Sequence, residues 1–478
     1  MSAEPTERWA RPVLYALVGL TLLRVAALAL SPTDLFVDEA QYWLWSQTLA
    51  WGYFSKPPLI AFVIRLTTSL VQTDSTMAIR LAGPFAHLAT ALILGRLAYR
   101  IADRRAALWA ALTYLTLPSC SLGSFVLSTD TVMAPFYALA LLGLVEMGMT
   151  RRLGPALWGG LALGLALLAK YAALYLPGSA LVALLVKKQA RSPLRLWLIF
   201  FSTALIILSP NILWNLSHDL TTVRHTAGNV GWVQHLTFAP SLTAGLKFLA
   251  GQGLMVGPIL VCGLGASLWR GALHGARSLL IALALIPLGL VTLQALIAGA
   301  NLNWAFAAWL PGLVLAVIAL QNGPWLKINL VLNGAVSLAF IGLTLFPYTA
   351  LPNQQPLLMR LLGRADLSEQ ILDMAEAKGH IPIVTGNRDI LADLVYTSRT
   401  RPVPLYAQQR QGRPLTHYEL AFALPTGLIG PVIFVSPIVP DCPGGPAPLA
   451  QPLNTDIGAY ANQRLFAVFT RAECLPQL

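Results

Sequence analysis

The sequence predicts an α-helical polytopic membrane protein with a small α/β domain at its C-terminal end. The chain has 478 residues, of which 56% are hydrophobic and 11% are charged, whereas soluble globular chains have about 25% charged residues. Apolar stretches recur along the first 350 residues, and several approach the roughly 20 residues that a helix needs to cross a bilayer. The remaining residues contain charged, Pro and Gly positions and short alternating runs. This composition excludes an ordinary soluble enzyme, a disordered protein and a fibrous repeat.

Eleven apolar stretches are predicted to span the membrane. They lie at 12–30, 78–100, 106–122, 130–149, 155–170, 172–186, 195–213, 246–269, 278–298, 304–320 and 326–346. The first could be a cleaved signal peptide. We expect a retained span, because Arg24 interrupts its apolar core and no small-residue cleavage site stands out at Leu30-Ser31-Pro32.

The basic residues between the spans predict the orientation of the chain. If the N-terminus is cytoplasmic, every basic cluster falls on the cytoplasmic side, as the positive-inside rule requires. These residues are Arg100, Arg104, Arg105, Arg151, Arg152, Lys187, Lys188, Arg191, Arg195, Arg270, Arg277 and Lys327. The net charge of +12 therefore indicates contact with membrane lipids rather than a nucleic-acid partner.

The opposite face receives the long segments, and we expect two domains. Residues 1–350 are predicted to form the membrane domain, with a first outer loop at 31–77, and residues 351–478 an outer α/β domain. In that tail, residues 366–378 have the pattern of an amphipathic helix, while 381–384 and 432–435 resemble strands. Cys442 and Cys474 also lie there, and they either pair or stay reduced.

The first outer loop carries the most unusual pattern. Adjacent carboxylates, Asp38 and Glu39, open a Trp-rich amphipathic helix, and Lys56 follows beside two prolines. One interpretation is structural, with Asp38 capping the helix and the aromatic residues forming an interface belt. The other is functional, because an acid pair, a cation and aromatic rings suit a lipid-linked anionic substrate, whose phosphate a lysine can bind.

Further polar residues lie near the predicted outer ends of the spans. Asp130, in Ser128-Thr129-Asp130-Thr131, either caps the fourth span or is a second acid. Lys170 either reaches the interface from its span or binds substrate. Arg24 lies within a span, where a charge is costly and usually has a partner or ligand. Arg80 either anchors the second span or joins the site.

The loop after the seventh span supplies other candidates, namely His218 and Arg224, and Asn303 opens the tenth span. His218, His225 and His235 suggest a metal site, but their spacings match no ligand pattern. Contacts to a phosphate or a sugar are the favoured interpretation.

The residues Asp38-Glu39-Ala40-Gln41-Tyr42-Trp43 and Gly52-Tyr53-Phe54-Ser55-Lys56-Pro57-Pro58-Leu59 resemble the first periplasmic loop of bacterial glycosyltransferase family 39. That family contains the lipid A aminoarabinose transferases and relatives of the protein O-mannosyltransferases. Further matches are Ser128-Thr129-Asp130, Ala169-Lys170-Tyr171, the segment from Asn211 to His218, Gly251-Gln252 and Asn303-Trp304. The resemblance covers nearly the whole membrane part and fades in the tail.

The resemblance implies a GT-C fold with about 11–13 transmembrane helices in the bacterial inner membrane. It implies Asp38 as the principal catalytic carboxylate, supported by Glu39 and Asp130. Substrate contacts are expected from Tyr53, Lys56, Arg24, Arg80, Lys170, Tyr171, His218, Arg224 and Asn303. The aminoarabinose branch has an arginine at the position of Gln41, so the phosphate clamp and the donor of that branch do not carry over directly, and mannose, galacturonic acid, aminoarabinose and other sugars stay open.

The expected reaction moves a sugar from a polyprenyl-phosphate donor to lipid A or another envelope glycolipid on the periplasmic face. Lys and Arg can stabilise the leaving phosphate, so no metal or other cofactor is expected to be required. Two alternatives stay open, a transporter or flippase of lipid-linked sugars and a protein O-glycosyltransferase. A transporter should show related halves or broken spans with ions at the midplane, and the sequence shows neither.

Overall fold

The computed structural model describes residues 5–186, 193–230, 241–269, 275–443 and 445–476. Within these ranges the chain forms twenty α-helices and five β-strands. The first ten helices are α1 (Pro5–Leu30), α2 (Val37–Gln47), α3 (Leu59–Val71), α4 (Thr76–Arg80), α5 (Ala82–Ile101), α6 (Arg104–Leu115), α7 (Pro118–Phe125), α8 (Thr129–Thr150), α9 (Leu153–Ala169) and α10 (Tyr175–Val186). The next seven are α11 (Leu194–Ser217), α12 (Thr221–Val230), α13 (Leu242–Val256), α14 (Pro258–Trp269), α15 (Gly275–Ala298), α16 (Phe306–Leu320) and α17 (Trp325–Leu345).

The C-terminal part alternates helices and strands. Its elements are α18 (Arg364–Ala377), β1 (Ile383–Thr385), α19 (Arg388–Thr397), β2 (Leu405–Ala407), α20 (His417–Ala421), β3 (Pro431–Ser436), β4 (Leu449–Pro452) and β5 (Phe466–Arg471). The predicted helix at 366–378 and the two predicted strands are therefore confirmed, with ends shifted by one or two residues.

The helices confirm a multi-pass membrane protein. In the described ranges seven helical segments are long and apolar enough to cross a bilayer, and the pair α13 and α14, bent by 108° at Gly257, would make an eighth. Each of the eleven predicted spans contains helix. The stretch 106–122 is divided because α6 ends at Leu115 and Pro118 begins α7. The stretches 155–170 and 172–186 form shorter apolar helices.

The apolar helix α3 lies inside the segment predicted as an outer loop. Its sequence, LIAFVIRLTTSLV, is amphipathic, and Ile60, Ala61 and Ile64 are fully buried. At 13 residues it is shorter than the ~20 that a span needs, which is why the span pattern did not include it.

Two compact units divide the chain. The helical unit comprises Met1–Ala29, Ala50–Val71 and Arg80–Ile341, and the α/β unit comprises Leu30–Leu49, Gln72–Ile79 and Gly342–Leu478. Two pieces of the predicted first outer loop thus group with the C-terminal segment. The division of the chain at residue 350 remains a prediction.

Small residues allow close packing in the helical unit. A Cβ on Gly143 of α8 would lie 2.6 Å from the Cα of Gly159 on α9. A Cβ on Gly160 would meet the backbone oxygen of Phe200 on α11 at 2.2 Å. Since these positions exclude a side chain, α8, α9 and α11 approach through backbone contact, as small residues permit in membrane proteins.

The α/β unit is built on a five-stranded mixed sheet with the order β2-β1-β3-β5-β4. Strand β1 pairs in parallel with β2 and β3, whereas β5 is antiparallel to β3 and β4. Val384, Val432, Phe434 and Val468 form its buried core. Cys442 and Cys474 form a disulfide with a Cα–Cα distance of 5.0 Å, so the paired alternative is confirmed.

Candidate functional site

Helix α2 presents the two predicted acids in different ways. Glu39 is fully buried, and its Oε2 accepts a hydrogen bond from the backbone N–H of Phe36 at 2.9 Å. It therefore stabilises the helix start by satisfying a donor that has no partner within the helix. The side chain of Asp38 is 43% exposed. The capping role considered for Asp38 belongs to Glu39, which leaves Asp38 directed toward other partners.

Arg388 is the partner of Asp38 within the α/β unit. Its Nη2 lies 2.6 Å from Asp38 Oδ1, and it also donates to Gln41 Oε1 at 3.0 Å. The Nε of Arg388 lies 3.3 Å from the same Gln41 oxygen. The side chain of Arg388 is 32% exposed, so the ion pair is only partly buried. This arrangement leaves the Asp38 carboxylate accessible to a hydroxyl group of an incoming molecule and places the Arg388 cation beside it.

The turn that precedes α19 fixes the position of Arg388. Asn387 caps the helix, because its Oδ1 accepts from the N–H groups of Asp389 at 2.9 Å and Ile390 at 3.4 Å. The N–H of Asn387 donates to Thr385 Oγ1 at 3.1 Å, and this hydroxyl donates to Val435 O of β3 at 2.9 Å. Arg388 is therefore held by a strand end, a cap and a helix start.

His417 adjoins this pair at the start of α20. Its ring contacts the ring of Trp45 edge-on at 5.6 Å. Burial, helped by the positive charge of Arg388, lowers the pKa of His417 to about 4. The imidazole is therefore neutral at pH 7. Burial alone would lower the pKa of Arg388, but the charge of Asp38 and its hydrogen bond raise it, which keeps the guanidinium protonated.

A second arginine–aspartate pair holds the α/β unit together. Arg364 Nη1 lies 2.9 and 3.2 Å from the two oxygens of Asp393, whose side chain is 4% exposed, and the hydroxyl of Tyr460 donates to the same carboxylate. Burial raises the pKa of Asp393 to about 7, although Arg364 and Tyr460 oppose the shift. Asp34 caps α18 by accepting from the backbone N–H of Arg364 at 2.8 Å. The segment before α2 is thereby tied to α18.

Asp130 and Lys170 pair within the helical unit. Lys170 Nζ lies 2.8 and 2.7 Å from the two oxygens of Asp130, and Asn303 Nδ2 donates to Asp130 Oδ2 at 2.7 Å. The side chains of Asp130 and Lys170 are 11% and 17% exposed. Ser128, not Asp130, caps α8, since its hydroxyl accepts from Thr131 N. The structure thus brings three predicted residues together, with the acid neutralised by the lysine.

Tyr171 belongs to a neighbouring polar cluster in the same unit. Its hydroxyl donates to Asn211 Oδ1 at 2.7 Å and accepts from Asn215 Nδ2 at 3.2 Å. Asn211 Nδ2 donates to the carbonyl of Trp51 at 2.6 Å. Tyr53 is buried, and its hydroxyl accepts from Ala50 N at 3.0 Å. These contacts fix the segment that carries Lys56, which is half-buried.

The other predicted substrate contacts lie in varied surroundings. Arg24 is fully buried, and its Nη2 donates to Leu115 O, Ser121 Oγ and Ser337 Oγ at 2.8–3.0 Å. Arg80 is also buried. His218 is exposed and stacks on Trp214 at 4.1 Å, and Arg224 is exposed on α12. The substrate-binding roles of these residues remain predictions.

The described residues contain no group of three His, Cys, Asp or Glu side chains that could hold a metal ion. His225 contacts the ring of Phe54 at 5.2 Å. His235 lies outside the described residues.

Arg388 is the functional candidate that sequence reasoning missed. It is separated from Asp38 by 350 positions, so no local spacing links the two. A signal did exist, because Asn387-Arg388-Asp389 follows a short buried strand and opens a helix. Ligands of open α/β sheets bind beyond the carboxyl ends of parallel strands, and β1 ends at Thr385, two residues before Asn387.

Sequence comparisons place this architecture among known enzymes. Residues 55–214 match a family model described as dolichyl-phosphate-mannose-protein mannosyltransferase. The lipid A galacturonosyltransferase RgtD of Rhizobium johnstonii is 41% identical over 435 residues, which cover 89% of this chain and 91% of the relative. The chain belongs to glycosyltransferase family 39.

Solved structures agree on the fold of this glycosyltransferase. ArnT from Cupriavidus metallidurans bound to undecaprenyl phosphate has a TM-score of 0.66 at 16% identity, covering 98% of this chain and 100% of that one. Its apo form has a TM-score of 0.63 at 17% identity, covering 90% and 93%. The predicted GT-C fold and the prediction of a glycosyltransferase are confirmed, so the transporter alternative is not retained.

Proposed function

We propose that this glycosyltransferase transfers galacturonic acid from a polyprenyl-phosphate donor to lipid A. The observation that carries the proposal is the 41% identity to a lipid A galacturonosyltransferase along 89% of the chain. The polyprenyl carrier follows from the family, in which ArnT has been solved with undecaprenyl phosphate. Lipid A supplies both the hydroxyl that attacks and a membrane-anchored acceptor for a multi-pass enzyme.

Asp38 is proposed as the base. Its exposed carboxylate takes the proton of the acceptor hydroxyl while the acceptor oxygen forms a bond to the anomeric carbon of the sugar. The bond between that carbon and the phosphate oxygen breaks, and the electron pair leaves with the polyprenyl phosphate. Glu39 is proposed to act through α2, since its carboxylate stabilises the start of the helix that carries Asp38.

Cations are proposed to stabilise the leaving phosphate. Lys56 is the candidate for direct contact, because it is half-buried next to the ordered Tyr53 segment. Lys170 already shares its charge with Asp130, so we propose that Asp130 orients Lys170 rather than acting as a base. Preorganised cations can stabilise this charge without a divalent metal. Full loss of activity after chelation, with recovery on adding a metal, would contradict that part.

We propose that the enzyme lies in the bacterial inner membrane with a cytoplasmic N-terminus and a periplasmic α/β unit. The distribution of Lys and Arg between the spans supports this orientation. The disulfide between Cys442 and Cys474 agrees with it, since disulfides persist in oxidising compartments.

The test is mass spectrometry of lipid A from cells that lack the protein or express the wild type, Asp38→Asn or Asp373→Asn. Asp373 is the matched control, because it also pairs with an arginine in the α/β unit but its side chain is 70% exposed and lies on α18. We expect a mass equal to one uronic acid residue with the wild type and Asp373→Asn, and its absence in the other two. If the wild type adds a different sugar, the proposed donor is wrong. If lipid A never changes, the proposed acceptor is wrong, and protein acceptors become the next substrates to examine.

A further inference from the structure

We propose that Arg388 recognises the carboxylate of the donor sugar and makes this enzyme selective for an acidic sugar. The inference rests on the proposed function, because it names the residue that would distinguish galacturonic acid from the neutral sugar of the same stereochemistry. Those two sugars differ at the carbon that carries either a carboxylate or a hydroxymethyl group. A selective site therefore needs a cation that can contact the carboxylate of the sugar.

Arg388 has the required position. It is the first residue of α19, a ten-residue helix, and it lies three residues after Thr385, the carboxyl end of β1, which is the strand between β2 and β3. The N-terminus of a helix carries a partial positive charge that adds to that of the guanidinium. The Asn387 cap and the Thr385 hydroxyl hold the turn before α19. The turn is therefore already ordered before an anion binds.

The guanidinium also retains donors for a ligand. Its contacts with Asp38 and Gln41 use Nη2 and Nε. On the other side, Nη1 has a carboxylate oxygen of Asp389 at 4.0 Å, which is beyond hydrogen-bond distance. An incoming carboxylate could therefore bind the Nη1 edge while Nη2 keeps its bond to Asp38. Arginine suits this task, because its planar fork matches carboxylate geometry.

Exposure separates Arg388 from the structural arginine of the same unit. The side chain of Arg388 is 32% exposed, whereas that of Arg364 is 5% exposed. Arg364 has both oxygens of Asp393 and the carbonyl of Arg360 as partners. A ligand can reach Arg388 without breaking a buried network.

The charges around Asp38 explain why an anionic sugar would need Arg388. A sugar carboxylate at this site would meet the like charges of Asp38 and of Asp389, which lies 4.0 Å from Arg388 Nη1, and both disfavour binding. Arg388 offsets this repulsion at a distance of 2.6 Å from Asp38. His417 is neutral at pH 7 because its pKa is lowered to about 4, so it adds no positive charge of its own. Replacing Arg388 should therefore affect an acidic donor far more than a neutral one.

The experiment compares two synthetic donors, polyprenyl phosphates that carry galacturonic acid or galactose, with purified full-length protein and lipid A. The kcat/KM is measured for each donor with the wild type and with Arg388→Gln. We expect the wild type to prefer the acidic donor, and we expect Arg388→Gln to reduce the acidic-to-neutral ratio about 100-fold, the loss typical of a charge-assisted hydrogen bond. Arg388→Lys, which keeps the charge but not the fork, should retain part of the preference.

Arg401→Gln is the matched control, since Arg401 pairs with Asp373 and Glu376 elsewhere in the α/β unit. The acidic-to-neutral ratio of kcat/KM for Arg401→Gln should equal that of the wild type. An equal fall in kcat/KM for both donors with Arg388→Gln would overturn the inference. It would mean that Arg388 positions Asp38 and does not recognise the carboxylate of the sugar. A wild type that transfers neither donor contradicts the proposed function instead. If Arg388→Gln does not fold, an unchanged preference in Arg388→Lys would overturn the inference.

Discussion

Helix α19 takes part in two arginine–aspartate pairs that differ in their exposure to solvent. Arg388 at its first position pairs with Asp38, and the two side chains are 32% and 43% exposed. Asp393, further along the helix, pairs with Arg364, and those side chains are 4% and 5% exposed. The chemical groups are the same, and the distances of 2.6 and 2.9 Å are similar.

The difference in exposure bears on stability and on the role that we propose for each pair. Exposed ion pairs contribute about 0–1 kcal/mol to folding, so exchanging a partner in the partly exposed Arg388–Asp38 pair should cost less folding free energy than in a buried pair. Removing one member of a buried pair leaves an uncompensated charge, which is costly. The Arg364–Asp393 pair therefore joins α18 to α19. The Lys170–Asp130 pair of the helical unit is intermediate, with side chains 17% and 11% exposed.

The largest effect on stability is expected from breaking the buried pair. Arg364→Met would remove the cation beside the buried Asp393, which must then keep an uncompensated charge or take up a proton, and we expect a loss of up to about 3–5 kcal/mol in the free energy of unfolding of the α/β unit. Arg401→Met, which breaks the surface pairs with Asp373 and Glu376, should cost at most about 2 kcal/mol, since each such pair contributes about 0–1 kcal/mol. Urea unfolding of the full-length protein in detergent measures both. Equal losses in the two variants would refute the distinction between buried and exposed pairs.

A smaller loss is expected from the intermediate pair. Lys170→Met would leave Asp130 with Asn303 as a hydrogen-bond donor, and we expect a loss of about 1–3 kcal/mol. Adding Asp130→Asn should recover most of it, because the double variant contains no unpaired charge. A double-mutant cycle by thermal unfolding would measure the coupling. Losses that simply add would show that the two residues do not act as a pair.

The smallest effect at neutral pH concerns His417 beside the Arg388–Asp38 pair, because its contribution to stability changes only in acid. The folded state holds its pKa at about 4, below the ordinary value near 6.5. Between these pH values the unfolded chain binds a proton that the folded chain does not bind. Stability should therefore fall as the pH drops from about 6.5 to about 4, and His417 should contribute no pH dependence above 6.5. The slope of stability against pH in this window should be shallower for His417→Gln than for the wild type. Identical slopes would contradict a neutral, buried imidazole.

The sequence predicts those features that depend on local pattern. Apolar stretches locate the helices of the helical unit, and the adjacent acids make Asp38 a candidate catalytic residue. The apolar helix α3 is not predicted, because a 13-residue stretch is too short for a membrane span. The capping role of Glu39 is not predicted either, because Phe36, and not a Ser or Thr, precedes α2.

Contacts between residues that are distant in the sequence cannot be predicted from local sequence pattern. Asp130 and Lys170 were each predicted from their own segment, yet their contact joins positions 40 residues apart. Arg388 meets Asp38 across 350 positions, because the chain must traverse the membrane helices before it returns to α2. Contacts of this kind are set by the fold, and the pattern around either residue does not specify the other.

The central claim is that the exposed acid Asp38 performs the chemistry, whereas Asp130 orients Lys170. The most direct test is the single-turnover rate of sugar transfer by Asp38→Asn and by the double variant Asp130→Asn/Lys170→Met, which removes both charges of the second pair. We expect Asp38→Asn to be slower than the wild type by about 10²–10⁴-fold, the range typical of a lost general base, and slower than the double variant by at least about tenfold. A double variant as slow as Asp38→Asn, or an Asp38→Asn that keeps the wild-type rate, would contradict this account.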